Sequence, residues 1–419
     1  MTERTPALRP APLRGVVVLD VSHFLAGPYA AMTLADLGAD VVKVEDVDRP
    51  DEARRVGPVF NDGQSDYFAS LNWGKRSLAL RLARPDGRDV FLRLARHVDV
   101  VIDNSKPGVM DKLGLGPDSL HRVNERIVTC SLSSFGATGP LARRPGYDYT
   151  IQALTGVMSL TGDPDRAPGK SGISYVDHSG GIVAALGIAA AIVERNATGI
   201  GRHLDLSLFD TQMSMLSYLA AWQLNAGYEA GRSANGAHPS IVPAQTFRTA
   251  DGHMSVFVGN DAMFARLASA LGDPFLESAG FATNDGRYEG RVELIERLDA
   301  TFASRPTDHW VDVLTSYDVP CAPVNTVAEA LVEPQTQARG LVAETIAGGH
   351  DPYRHVRGPI PLDDAHATIP APRLGEHSTE VLLAAGFTPV DVHALLSRGA
   401  VVQDATAASI RNVEAAKCG

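Results

Sequence analysis

Val16-Val17-Val18-Leu19-Asp20-Val21, then Tyr29-Ala30-Ala31-Met32-Thr33-Leu34-Ala35-Asp36-Leu37-Gly38, then Asp40-Val41-Val42-Lys43-Val44-Glu45: these three runs decide the fold class. The first is a continuous apolar run of the kind found in a strand buried on both faces. The second reads as a helix stopped by its glycine, and the third as another buried strand. Strand, helix and strand in this order make a βαβ unit, and parallel strands joined this way predict a doubly wound sheet. The alternation continues with a strand over 77–80, a helix over 87–97 and strands over 98–102 and 127–132. The expectation is an α/β protein whose large domain holds a Rossmann-like, doubly wound parallel sheet. Ligands of such sheets sit outside the carboxyl ends of the strands, here the loops 22–28, 104–108 and 133–148.

The second half changes character. Residues 203–208 alternate like a strand, 209–224 read as one long Met- and Leu-rich helix, and 227–243 are rich in Gly, Ser, Pro and Asn. A hairpin is expected over 246–260 around Asp251-Gly252, with helices over 262–271 and 291–303 and a Pro-punctuated connection over 318–324. Extended segments follow, then helices over 378–385 and 389–397. A chain of 419 residues exceeds one ordinary core. Two domains are expected: a discontinuous large one over 1–224 plus 345–419, and a smaller α+β one over 225–344.

Composition narrows the class. Lys and Arg number 38 against 49 Asp and Glu, a net charge of −11, so neither nucleic acid nor an anionic membrane is an expected partner. The cysteines, Cys130, Cys321 and Cys418, are scattered without a CxxC pair, which suits a reducing compartment and signals no metal site. Residues 1–14 carry Glu3 and three prolines without an apolar core, unlike a signal peptide. A cytoplasmic location is expected, with a loosely held tail over 406–419. The apolar run 180–193 has 14 residues where a membrane span needs about 20, so it reads as a core helix. A dinucleotide enzyme fails on detail: the first turn, Ser22-His23-Phe24-Leu25-Ala26-Gly27-Pro28, has one glycine where the fingerprint needs three.

Asp177 lies in Gly172-Ile173-Ser174-Tyr175-Val176-Asp177-His178-Ser179-Gly180-Gly181, at or next to the N-cap of the helix expected over 180–193. Free N–H groups and the helix dipole there favour a negative charge. The residue is then either a plain cap or an ionised carboxylate poised as a covalent nucleophile. Local sequence leaves both open.

Ordered motifs carry a resemblance. They are Leu13-Arg14-Gly15 with Val18-Leu19-Asp20 and Ala26-Gly27-Pro28; Leu34-Ala35-Asp36-Leu37-Gly38-Ala39-Asp40-Val41-Val42-Lys43-Val44-Glu45; and Asn72 with Lys75-Arg76-Ser77. Next come Asn104 with Pro107-Gly108, Ser134-Phe135-Gly136, Gly139-Pro140, Gly146-Tyr147-Asp148 and Gln152-Ala153. Asp177, Thr198-Gly199, Gly201, Asp251-Gly252, Pro320-Cys321-Ala322-Pro323-Val324 and Leu374-Gly375-Glu376-His377 complete the series. Over most of its length the chain resembles the family III CoA-transferases, the CaiB/BaiF family.

The resemblance implies an acyl-CoA:carboxylate CoA-transferase with Asp177 as nucleophile. It passes through an acyl anhydride, an aspartyl-CoA thioester and a second anhydride. Acyl-CoA and a small carboxylic acid are the implied substrates, with no tightly bound cofactor and no metal, in an interlocked homodimer. Implied CoA contacts are Phe24, Leu25, Ala26, Leu80, Arg81, Asn104, Ser105, Tyr147 and Asp148, with Lys75, Lys106, Lys112, Arg143 and Arg144 as the phosphate set. Where some members carry a cation after the second strand this chain has Asp46, with Arg49, Arg54 or Arg81 as substitutes. Oxyanion donors are expected from Gly180-Gly181 or the loop 234–238, and a loop over 235–240 to close on the site. Racemases of the family carry His at the position of Tyr147, and tyrosine, with a reference pKa near 10, is a poor base. That favours transfer over a racemase-like activity, the alternative reading, with a non-catalytic CoA-binding scaffold as the third. Among other polar residues, His178 adjoins Asp177 and Trp73 is a candidate for the nucleotide slot. The chain lacks a poly-glycine run, which argues against formate and oxalate as acids.

Overall fold

The computed structural model describes residues 11–61, 63–345, 353–360, 362 and 369–403. Cys418, the tail 406–419 and the first ten residues of the segment 1–14 lie outside them. The chain divides into two compact units, one of Met1–Ile151, Ile173–Met215 and Arg339–Gly419, the other of Gln152–Gly172 and Leu216–Ala338.

The first unit is built on a sheet of six parallel strands, β1 (Val17–Asp20), β2 (Asp40–Asp46), β3 (Lys75–Leu80), β4 (Val100–Asp103), β5 (Val128–Ser133) and β6 (His203–Ser207). They lie in the order β3-β2-β1-β4-β5-β6, and a short antiparallel strand, Val401–Val402, closes the β3 edge against Leu80 and Ala79. The apolar runs are continuous because alternate residues feed two cores. Leu19, Val42, Leu78 and Val101 enter the core under helix α2 (Pro85–Ala95), together with Phe91, Leu94, Val381 and Leu395. Val18, Val41, Val100 and Val128 enter the other, with Ala30 and Leu34 of helix α1 (Ala26–Asp36). That is the period-two alternation of a pleated strand. The strand order reverses between β1 and β4, a topological switch point where ligands of such sheets bind.

Helix α3 (Asp148–Leu154) precedes helix α4 (Tyr175–Thr198). At 24 residues α4 starts five positions before the expected 180 and ends on left-handed Gly199. Its most apolar window has a mean hydropathy of 1.7 and is 44% buried, so by length and composition it is long enough to cross a membrane. The 14-residue reading was too short because it stopped at the polar ends, which are also helical. One stripe of α4, including Gly180, Gly181, Ala184 and Ile188, is buried, while Leu186 and Val193 on the other side are 68% and 71% exposed. Gly181 permits the approach to α1: a Cβ there would lie 2.7 Å from the Ala26 carbonyl oxygen.

The helix expected over 209–224 is two helices, Leu208–Met215 and Ser217–Ala226, broken where Ser217 takes φ 43°. In the second unit, Ala244–Arg248 and His253–Phe257 form the expected hairpin, and Cys321–Pro323 adds a third antiparallel strand. Phe247, Leu294, Leu298, Phe302 and Trp310 form its core with helices Asp261–Leu271, Arg291–Phe302 and Thr307–Ser316.

Candidate active site

A cavity of about 420 Å³ opens in the first unit at the switch point. Its wall after β1 is His23 to Ala26, its wall after β4 is Asn104 to Pro107, and its wall after β5 is Leu132 to Phe135. Arg49, Pro50 and Glu52 come from the segment after β2, Ala142 and Arg144 to Tyr147 from the connection before α3, and Asp177 from the first turn of α4.

Asp177 is the third residue of α4, after Ser174 at the N-cap. It is therefore not the cap, but it lies within the turn where the helix dipole acts. Asp148 supplies a capping contact: its Oδ2 accepts the Val176 N–H at 3.0 Å in the interior. The acid expected to touch CoA thus anchors the start of the helix carrying Asp177. His178 Nδ1 donates to the Ser174 carbonyl at 2.8 Å and its ring packs edge-on against Tyr29. That bond places the proton on Nδ1. Tyr67 feels Asp177 electrostatically. Burial, with the nearby charges of Asp177, Asp51 and Asp148, pushes its phenol up to about 12 and keeps it neutral.

The loop after β1 is held by side chains from elsewhere. Asn104 Oδ1 accepts the His23 N–H at 2.8 Å while its Nδ2 donates to the His23 carbonyl at 2.7 Å. Asp51 Oδ1 accepts the N–H groups of Phe24 and Ala53, both at 3.0 Å. Lys43 Nζ lies 3.0 Å from Asp51 Oδ2 and donates to the Ser22 carbonyl at 2.7 Å. Phe24 has φ 62°, and its ring meets Tyr147 edge-on at 6.0 Å between centroids. Burial alone would raise the Asp51 carboxyl, but Lys43, His23 and the two N–H donors hold it below the usual range. Other anchors fix the neighbouring walls. Asp103 accepts from the Ser105 N–H and the Ser131 hydroxyl, and Ser134 Oγ donates to the Gly146 carbonyl at 2.6 Å.

The sequence-expected contacts divide in two. Phe24, Leu25, Ala26, Asn104, Ser105, Lys106, Arg144 and Tyr147 line the cavity with Asp177. The others do not. Lys75 is fully buried, its Nζ 2.8 Å from Asp20 Oδ2 and bonded to the Pro28 carbonyl and Asn72. Leu80 belongs to the core under α2. Arg81 donates to the Gly399 carbonyl and faces Asp48. Lys112 and Arg143 are exposed on the surface. Of the substitutes for a cation near Asp46, Arg49 lines the cavity, whereas Arg54 is bound to Glu45 and stacked over Phe68. Trp73 stacks on His355 in the interior. Gly180 and Gly181 are the sixth and seventh residues of α4, so their N–H groups serve the helix ladder and are not oxyanion donors. Residues 234–240 lie in the second unit, where Asn235 and Gly236 take positive φ and His238 Nδ1 accepts from Ser240 and Ile241.

His23 and Ala142 fall in the loops expected to bind a ligand, whereas sequence reasoning missed Pro50, Glu52, Leu132 and Leu208 as lining residues, and the anchors Lys43 and Asp51. The signal for the anchors was present: a lysine inside buried strand β2 has no place in an apolar core unless a nearby acid such as Asp51 pairs with it. Among the described residues no group of three His, Cys, Asp or Glu is placed to hold a metal ion.

Residues 13–378 match the family model "CoA-transferase family III". The chain belongs to that family. A succinate–glutarate CoA-transferase of Agrobacterium fabrum is 38% identical over 89% of this chain and 96% of its own length. An acetyl-CoA:oxalate CoA-transferase of Acetobacter aceti is 37% identical over 90% and 96%. The human succinyl-CoA:glutarate CoA-transferase is 35% identical over 94% and 91%. Among solved structures, a CaiB/BaiF family protein from Brucella suis aligns with a TM-score of 0.80 at 36% identity, covering 90% of this chain and all of that one. This family III CoA-transferase therefore has the mixed α/β fold of its structural neighbour, with a parallel-dominated central sheet.

Proposed function

We propose that the chain transfers CoA from a small acyl-CoA to a small dicarboxylic acid, with Asp177 as the covalent nucleophile. The observation that carries this reading is the place of Asp177: a carboxylate in the first turn of α4, lining the switch-point cavity beside Lys106 and Arg144. An Asp177 oxygen attacks the thioester carbonyl, the C–S bond breaks, and CoA leaves as the thiolate. The thiolate then attacks the Asp177 carbonyl of the mixed anhydride and expels the donor acid, leaving an aspartyl-CoA thioester. The acceptor carboxylate attacks that thioester, expels the thiolate and forms a second anhydride. The returning thiolate attacks the acceptor's acyl carbon and frees the Asp177 carboxylate. Each step exchanges one activated acyl bond for another, so positioning and desolvation do the catalytic work. Lys106, Arg144 and Arg49 offer the cations for the phosphates of CoA.

The relatives support the acceptor class. Enzymes named for succinate and glutarate, oxalate, D-citramalate and mesaconate all align over 88% or more of this chain. The oxalate enzyme returns that acid to the candidates in spite of the missing poly-glycine run. Tyr147 at the cavity favours transfer over proton shuttling, because no imidazole faces Asp177 from that position. The exposed apolar side of α4, with Leu186 and Val193, supports a homodimer.

The test is incubation with succinyl-CoA and isotopically labelled glutarate. Label is expected in the thioester pool, and borohydride trapping during turnover is expected to modify Asp177. Deuterium entering the α-carbon from heavy water without transfer would favour the racemase-like reading. Full transfer by Asp177→Asn would overturn the assignment of the nucleophile.

A further inference from the structure

Asp51 sits between two residues that line the cavity, Pro50 and Glu52, yet its own side chain is buried at 1% exposure. From there it reaches the opposite strand connection: Oδ1 takes the Phe24 N–H, and Oδ2 faces Lys43, which also holds the Ser22 carbonyl. Phe24 is in the left-handed region at φ 62°. A bulky residue stays there only when its surroundings over-determine it. The surroundings here are the Asp51 carboxylate on the Phe24 N–H, Lys43 on the Ser22 carbonyl, and Asn104 on the His23 N–H and carbonyl.

We propose that Asp51 is a positioning residue for the acyl-CoA: with Lys43 it locks Phe24 in a left-handed turn and so sets the wall that the cavity shares with Asp177. The assignment rests on the reading of this cavity as the acyl-CoA site. It joins the segment after β2 to the loop after β1 through one buried carboxylate. A shift at either segment is therefore passed to the other, and Phe24, edge-on to Tyr147, carries it to the cavity.

A neutral pair of variants separates positioning from burial of charge. Lys43→Met with Asp51→Asn keeps an oxygen for the Phe24 N–H, and Lys43→Met with Asp51→Leu does not. Both remove the ion pair. CoA affinity by calorimetry and KM for succinyl-CoA are the readouts. The leucine form is expected to bind CoA about tenfold more weakly than the asparagine form, the order of one lost buried hydrogen bond, with kcat changed less than KM. The difference is expected to shrink below about threefold when Phe24→Gly is added, because glycine takes a left-handed conformation without an external hold. Equal affinities in the two forms, or a difference that persists unchanged with Phe24→Gly, would overturn the proposal. CoA binding absent from the unaltered protein would overturn the acyl-CoA reading itself, whereas binding that is present and indifferent to Asp51 overturns this inference alone. If a Lys43→Met form fails to fold, Asp51→Asn and Asp51→Leu with Lys43 retained, each with and without Phe24→Gly, give the same comparison, since both remove the carboxylate charge and only the first keeps an acceptor for the Phe24 N–H.

Discussion

Two acids one helical start apart have separate duties: Asp148 holds the Val176 N–H, and Asp177 faces the cavity from the next residue. Asp177→Asn is expected to lower transfer by at least about a thousandfold, with the melting temperature within about 2 °C of the parent, checked by the label assay and calorimetry. Asp148→Ala is expected to cost about 1 kcal/mol of stability, the ordinary value of a helix cap, and to lower kcat as well because the first turn of α4 loosens. Lys75 carries a different load. Burial lowers its ammonium to about 8 against the pull of Asp20, while Lys75 and Lys43 overcome burial to hold Asp20 at about 2. Lys75→Met strands a buried carboxylate and is expected to cost roughly 3–5 kcal/mol in urea unfolding. Asp36 works in the other sense. Burial pushes its carboxyl up to about 7, opposed weakly by Arg357. In the unfolded chain it ionises near 3.9, so between about pH 4 and pH 7 the folded form binds more protons and stability falls as pH rises. Asp36→Asn is therefore expected to gain about 2 kcal/mol at pH 8 and nothing at pH 4, read as paired thermal melts. At this scale the sequence marked Asp177 and most of the cavity wall, because those residues follow strands whose ends build the site. It did not show that Asp148 and Lys75 turn inward, because a charged residue near the strand ends reads the same whether it faces a ligand or a buried partner, here the Val176 N–H for Asp148 and Asp20 two strands away for Lys75.

Among the elements, the strands were legible to within a few residues, since a strand buried on two faces leaves an unbroken apolar run. Helix α4 was not, because its polar first turn, the part that matters chemically, interrupts the apolar pattern. The break at Ser217 was invisible for the opposite reason: the Met- and Leu-rich pattern runs through it, and no Gly or Pro marks the turn. The packing of α4 on α1 gives a contrast within one helix. At Gly181 an added Cβ meets the Ala26 backbone oxygen at 2.7 Å, whereas at Gly187 the nearest atom is the Leu204 side chain at 3.4 Å. Gly181→Ala is expected to cost about 2 kcal/mol by overpacking, while Gly187→Ala is expected to be neutral or to gain up to about 1 kcal/mol from helix propensity. Urea titrations of the two variants check the pair.

For the whole molecule, the proposed dimer makes a direct prediction. Leu186→Asp with Val193→Asp places two carboxylates on the exposed apolar side of α4, and sedimentation velocity is expected to report a monomer where the parent protein is a dimer. A parent protein that sediments as a monomer would remove the dimer reading. The chain passes between the units at 151–152, 172–173, 215–216 and 338–339, where the sequence predicts crossings at 224–225 and 344–345; the excursion of 152–172 into the second unit carries no composition shift to mark it. The closing of the first core has a consequence for biosynthesis. All six parallel strands have left the ribosome once β6 is made, yet Val381, Leu382, Phe387, Val392 and Leu395, which cover Leu78, Leu80, Phe91 and Leu94, arrive some 170 residues later. Until then the nascent chain carries a six-stranded sheet whose core under α2 is only partly covered. Translation stopped anywhere in that interval yields a product bound for chaperones or proteolysis, however complete its catalytic residues.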